Sequence, residues 1–249
     1  MHLQVESKRF CWIICMRVTR LIPIVPTLLF LLIVPIPTHA DFQAGLVAYD
    51  QGDYATALKE FLPLAQQGDV KAQFNMGILY EKGHGVPQDF QEAFRWYYLA
   101  AAQGDASTQN VLGMLYEYGQ GVPQDYPQAL YWYGLAVEQG YAPAQFNLGF
   151  LYATGVGVPQ NYTEAGRWYW LAAQQGHADA QHNLGYLYHV GQGGRPQDFV
   201  QAHMWYNLAA AQGVENARKL RDHVASLMSP TQEATAQQLA REWTPTPSP

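Results

Sequence analysis

Cysteine is all but missing: Cys11 and Cys15 are the two in the chain, and none follows residue 40. The body of the protein therefore has no disulfide staple and no thiolate nucleophile or metal ligand. Charge is scarce as well, 14% of residues against about 25% in an average soluble protein. Four of the 14 basic residues (Lys8, Arg9, Arg17, Arg20) and one of the 20 acidic ones (Glu6) precede residue 41, leaving 10 basic against 19 acidic groups beyond it. A basic footprint for nucleic acid is excluded. Serine is rare after residue 40, with Ser107, Ser226, Ser229 and Ser248 only, and none opens a Ser-x-x-Lys. No GxSxG, P-loop, GxGxxG or HExxH occurs, which removes the common signatures of acyl transfer, nucleotide binding and zinc hydrolysis.

Long hydrophobic runs are limited to one, Leu21 to Ile36, which follows Arg17 and Arg20 and leads to Thr38-His39-Ala40. A basic flank, a short apolar centre and a small residue at the end form a secretory leader, with cleavage expected after Ala40. At sixteen residues interrupted by Pro23, Pro26 and Pro35, the run falls short of the ~20 needed to span a bilayer. An uncleaved anchor is the alternative, and a start at Met16 instead of Met1 would give a leader of ordinary length. The expected location is the periplasm or the exterior, with no membrane contact beyond this segment.

What is present after residue 40 is a period. Gly77, Gly113, Gly149 and Gly185 stand 36 residues apart, and Trp96, Trp132 and Trp168 keep the same step, as do Pro87, Pro123 and Pro159. The fourth unit carries one extra residue within Gly191-Gln-Gly-Gly-Arg-Pro196, so Trp205 and Gly213 follow a shifted register. A fixed period of this length is the mark of a stacked repeat array.

Each unit reads as two helices. Ala72, Met76 and Leu79/Tyr80 fall on one helical face, and Gly83 to Pro87 ends that helix. The second begins at Asp89 with Glu92, a pattern repeated by Asp125 with Gln128, Asn161 with Glu164 and Asp198 with Gln201; it predicts a reciprocal capping box in each. Asn161-Tyr-Thr163 also matches a glycosylation sequon, but its register is the cap position. Ala93, Trp96, Tyr97 and Ala100/Ala101 form the inner face of this helix. Beyond Gly213, Ala217, Leu220, Val224 and Leu227 predict one amphipathic helix, and Ser229-Pro230 starts another reaching Trp243.

AQFNMGILYEKGHGVPQDFQEAFRWYYLAAAQG, Ala72 to Gly104, resembles a Sel-1-like repeat, the longer-looped relative of the tetratricopeptide repeat. The likeness recurs through Gly213. It implies an all-α, right-handed α-solenoid of helix-turn-helix repeats that scaffolds protein complexes. The expected organisation is a leader over 1–40, a tetratricopeptide-like capping half-repeat over 41–68, repeats over 69–104, 105–140, 141–176 and 177–213, capping helices over 214–243, and a disordered Pro-rich tail over 244–249.

Comparison of the repeats separates scaffold from surface. At about 100° per residue, positions 74, 78 and 81 point away from the 72, 76, 80 stripe. That outer stripe changes from unit to unit: Phe74, Ile78, Glu81; Asn110, Met114, Glu117; Phe146, Phe150 and Ala153; His182, Tyr186, His189. In a tetratricopeptide-like array the stripe lines the concave face, so its apolar members become anchors for a protein or peptide, and Glu81 and Glu117 favour basic or amide-rich segments. Packing against a neighbouring helix is the competing explanation. His182 and His189, i and i+7, lie about 10.5 Å apart along the axis, too far to share a metal. No cofactor, metal site or catalytic residue is expected. The rival functional reading is a cell-wall or β-lactam-related hydrolase using the solenoid as a substrate platform, since secreted, Cys-rich members of the similar family are associated with β-lactams; a structural spacer without partner is a third.

Overall fold

The computed structural model describes residues 40–246; residues 1–39, where the leader is expected, and residues 247–249 lie outside it. Among the described residues there are twelve helices and no strand. A leading hairpin, α1 (Phe42–Asp50) and α2 (Tyr54–Gln66), is followed by four repeat hairpins: α3 (Val70–Lys82) with α4 (Phe90–Ala102), α5 (Ala106–Tyr118) with α6 (Tyr126–Glu138), α7 (Ala142–Thr154) with α8 (Tyr162–Gln174), and α9 (Ala178–Val190) with α10 (Phe199–Ala211). Two further helices, α11 (Glu215–Ala225) and α12 (Pro230–Glu242), complete a right-handed α-solenoid. Every repeat helix has 13 residues, and each packs on the next in chain order.

The first helix of each repeat stops at a left-handed glycine. Gly119, φ 68°, directs its N–H to the Leu115 carbonyl and turns the chain toward α6, a conformation that a Cβ would oppose. The second helix starts where Asp89, Asp125, Asn161 or Asp198 accepts amides of its first turn. The reciprocal half of the predicted capping box is absent from all four. Asp89 N–H is already donated to the Tyr80 carbonyl at 3.0 Å, and the same bond recurs from Asp125 to Tyr116, Asn161 to Tyr152 and Asp198 to Tyr188. With the cap amide occupied by the preceding helix, Glu92 turns to Arg95 instead. The reciprocal box is found at α12, between Ser229 and Gln232.

No repeat has a core of its own. Leu112 and Leu115 of α5 pack with Ala93, Tyr97 and Ala101 of the preceding repeat and with Trp132 of α6. Gly77, Gly113, Gly149 and Gly185 let one tyrosine ring per repeat, Tyr97, Tyr133, Tyr169 or Tyr206, lie flush on the backbone; a Cβ on Gly113 would sit 2.5 Å from the Tyr133 ring. Between repeats runs a ladder of amides that the sequence pattern did not announce. Gln139 donates to Gln109 Oε1 at 2.8 Å and to the Gly104 carbonyl at 3.0 Å, while Gln109 donates to Ala101; the Gln103–Gln73 and Gln175–Gln145 pairs repeat the geometry.

The extra residue of repeat 4 is absorbed by its loop, where Gly193 and Gly194 both have positive φ. Arg195 fills that loop, donating to the carbonyls of Gly193 and Gly166 with its guanidinium over Tyr188. At the C-terminal end, Ala217 and Val224 of α11 cover Ala202, Tyr206 and Ala209, as the last unit of an array requires. Leu227 does not join them: α11 ends at Ala225, and Leu227 is exposed. The expected disorder after Trp243 does not extend to Thr246, whose backbone N–H and hydroxyl both donate to the Gln174 carbonyl.

Candidate partner-binding face

The stripe predicted on the first helices divides into three rows with different fates. In the row of Phe74, Asn110, Phe146 and His182 each side chain packs on a neighbour, Asn110 buried and the other three half-buried. Phe74 tilts on Tyr97 at 5.6 Å, and Phe146 stacks on His177 at 4.7 Å. Asn110 is buried and accepts from Asn147 of the next repeat at 2.9 Å. His182 leans on Tyr206, and burial pushes its imidazole pKa down despite the opposing pull of Asp179.

The row of Glu81, Glu117, Ala153 and His189 is also structural, which corrects the expectation that its carboxylates greet a basic partner. Glu81 accepts from Tyr97 Oη at 2.7 Å and pairs with Lys82; Glu117 is buried and accepts from Tyr133 Oη at 2.6 Å. Burial first, then these hydrogen bonds, drive both phenol pKa values well up. Where the carboxylate is replaced by Ala153, the Tyr169 hydroxyl turns to Asn183 and its pKa is pushed up to about 12, chiefly by burial. His189 is packed among Phe199, Tyr206 and His223, with burial lowering its pKa. The reason sequence periodicity missed this is that position 81 lies within reach of the paired helix, whose tyrosine sixteen residues on seeks an acceptor.

The middle row stays open. Met114, Phe150 and Tyr186 are 40%, 42% and 47% exposed, at the same position of consecutive repeats, and Ile78 continues the row half-buried. Tyr118 and Val190, one turn further along α5 and α9, are exposed beside it. Near its N-terminal end a cleft of about 260 Å³ opens between α1, α3 and α5, lined by Phe42, Phe74, Asn75, Asp105 and Ser107. Large apolar side chains left in water at one position per repeat make a ridge, the form of surface that repeat arrays offer to other chains.

The predicted histidines behave as packing groups. His177 caps α9 by accepting the Ala180 amide, and His84 stacks on Tyr54 while bonding the Tyr49 hydroxyl. Among the described residues no group of three or more His, Cys, Asp or Glu is placed to hold a metal ion. None of the described helices is long and apolar enough to cross a membrane.

A right-handed solenoid of two-helix repeats is the architecture of the tetratricopeptide-like class. The chain belongs to the Sel1 repeat family, whose model matches residues 70–105, 106–141, 142–177 and 178–214, over half of the sequence. These bounds fall one residue later than those read from the glycines. Among solved structures the chain is similar to a protective antigen of uropathogenic Escherichia coli displaying an SLR fold, with 32% identity and a TM-score of 0.70 over 80% of this chain and 44% of that one. The chain thus spans under half of that antigen's length. It is also similar to a Sel1 repeat protein from Oxalobacter formigenes, with 30% identity and a TM-score of 0.68 over 83% of this chain and 86% of that one. No curated protein matches the sequence. Sel1 repeat proteins generally serve as protein-interaction scaffolds, and the fold is typically non-catalytic.

Proposed function

We propose that this protein is an exported scaffold that holds a partner protein or peptide along the ridge of Ile78, Met114, Phe150 and Tyr186. The observation that carries the reading is the exposure of Met114, Phe150 and Tyr186 at one repeat position, while the flanking rows are buried or half-buried against the scaffold. Because Glu81 and Glu117 are engaged by tyrosines, apolar contact rather than charge selects the partner. Variation of the ridge from Ile to Met to Phe to Tyr gives each repeat its own contact, so that specificity is read along the array. Export is supported by the apolar segment between Arg20 and Thr38 and the small residue at Ala40.

In-cell crosslinking of the native protein, followed by mass spectrometry, identifies the partner. Met114→Ser with Phe150→Ser then removes two exposed anchors that the core does not use. Capture is expected to fall at least about tenfold with circular dichroism unchanged. Undiminished capture by the folded variant rejects the ridge, and recovery of the protein only from the cytoplasm rejects export.

A further inference from the structure

The tail beyond α12 occupies a definite place on repeat 3. Trp243 closes on Trp205 at 6.2 Å, and Pro245 lies beside Gly176. Thr246 donates its N–H at 2.8 Å and its hydroxyl at 3.0 Å to the carbonyl of Gln174, the last residue of α8. Carbonyls of a helix's last turn have no intrahelical donor. Against this contact opens a cleft of about 250 Å³ lined by Trp170, Leu171, Gln174 and Gly140, with Trp170 42% exposed. An extended Thr-Pro segment, an orphan carbonyl and a neighbouring aromatic ring are the elements by which extended Pro-containing peptides are bound.

Repeat 1 rebuilds that surface two periods earlier. Tyr98 and Leu99 stand where repeat 3 has Trp170 and Leu171, and they are 46% and 47% exposed. The turn after the helix superposes in its dihedrals: Gln103 has φ −86° and ψ 1° against −84° and 0° for Gln175, and Gly104 has φ 98° against 91° for Gly176. The supporting amide bonds match as well, with Gln103 Nε2 at 2.8 Å from Gln73 Oε1 and Gln175 Nε2 at 2.9 Å from Gln145 Oε1. Where Gly176 meets Pro245, a Cβ on Gly104 would meet nothing within 4 Å. Beside it an apolar cleft of about 330 Å³ is lined by Phe94, Arg95, Tyr98, Leu99 and Tyr116. Repeat 2 lacks the aromatic, having Gly134, and in repeat 4 the corresponding Asn207 is taken by Arg221 of α11.

We propose that the outer face of α4, formed by Tyr98 and Leu99 with the Ala102 carbonyl and Gly104, docks an extended Thr-Pro segment of a partner protein. The segment lies as the chain's own tail lies on α8. This surface belongs to the second helix of its repeat, so its fate is independent of the ridge on the first helices.

A fluorescent Thr-Pro-Thr-Pro-Ser-Pro peptide titrated into the full chain is expected to fill one site. Tyr98→Ser with Leu99→Ser, both at exposed positions, should weaken it at least about tenfold while helicity is kept. A chain ending at Trp243 should expose the equivalent site of repeat 3 and take two peptides, the second lost in Trp170→Ser. A photo-crosslinking version of the peptide, mapped by mass spectrometry, should label α4 in the full chain, which tests the site without any substitution. Absence of binding, binding indifferent to Tyr98→Ser and Leu99→Ser, or a single site in the shortened chain overturns the proposal. So does a full chain that is dimeric by light scattering and becomes monomeric on loss of the tail, because the occupant would then be a second copy.

Discussion

At the scale of single residues, the glycine–tyrosine contact sets how closely the two helices of a repeat approach. Tyr133 lies on Gly113 with its hydroxyl on Glu117, so ring, backbone and carboxylate are fixed together. Gly113→Ala places a methyl group into an occupied ring and should destabilise by about 1–3 kcal/mol, the usual cost of overfilling a packed core. Gly134 is the informative control. It lies inside α6, where an added methyl group would meet nothing within 4 Å, so Gly134→Ala should stabilise by about 0.5–1 kcal/mol through helix propensity. Urea unfolding of the two variants measures both signs.

At the scale of elements, the histidines are concentrated in the last repeat hairpin and its entry. Burial lowers the pKa of His177, His182, His189 and His203 from the ordinary value of 6.5. In the folded chain these imidazoles remain neutral to lower pH than they do when unfolded. Their contribution to stability is therefore complete above pH 6.5 and is lost as the pH falls from there through the depressed folded values. The urea midpoint should be lower at about pH 5 than at about pH 7.5, and His182→Gln with His203→Gln should flatten that difference. Hydrogen exchange should place the acid-induced opening in α9 and α10. An equal loss of protection in α3 to α6, which hold none of these four residues, would count against this assignment.

At the scale of the whole molecule, each repeat packs on its neighbours in chain order, and cores such as that around Leu112 and Trp132 are shared between two of them. Stability is then close to a sum of unit and interface contributions. Removal of residues 106–141, one complete repeat, joins surfaces of the same kind and should leave a folded, shorter array with unchanged helicity per residue. Removal of α11 and α12 should behave differently, because it uncovers Tyr206, Ala209 and Trp205 together. That variant is expected to aggregate or lose its last repeat. Circular dichroism with light scattering on the two deletions distinguishes them.

Much of this is legible in the amino-acid sequence itself. Thirty-six-residue spacing of glycine, proline and tryptophan determined the number of repeats, the helix boundaries and the loop that takes the extra residue. Local chemistry suffices there, since left-handed caps and N-cap oxygens act within one turn. The variable stripe of the first helices was legible too, but not its width. Whether Glu117 faces a partner or a tyrosine, whether Phe146 is open or stacked on His177, and whether Gln139 reaches Gln109 depend on residues sixteen to thirty-six positions away. A helical period gives the direction in which a side chain leaves its own axis; only the packed neighbour decides whether water or another residue meets it, and for Met114, Phe150 and Tyr186 it is water.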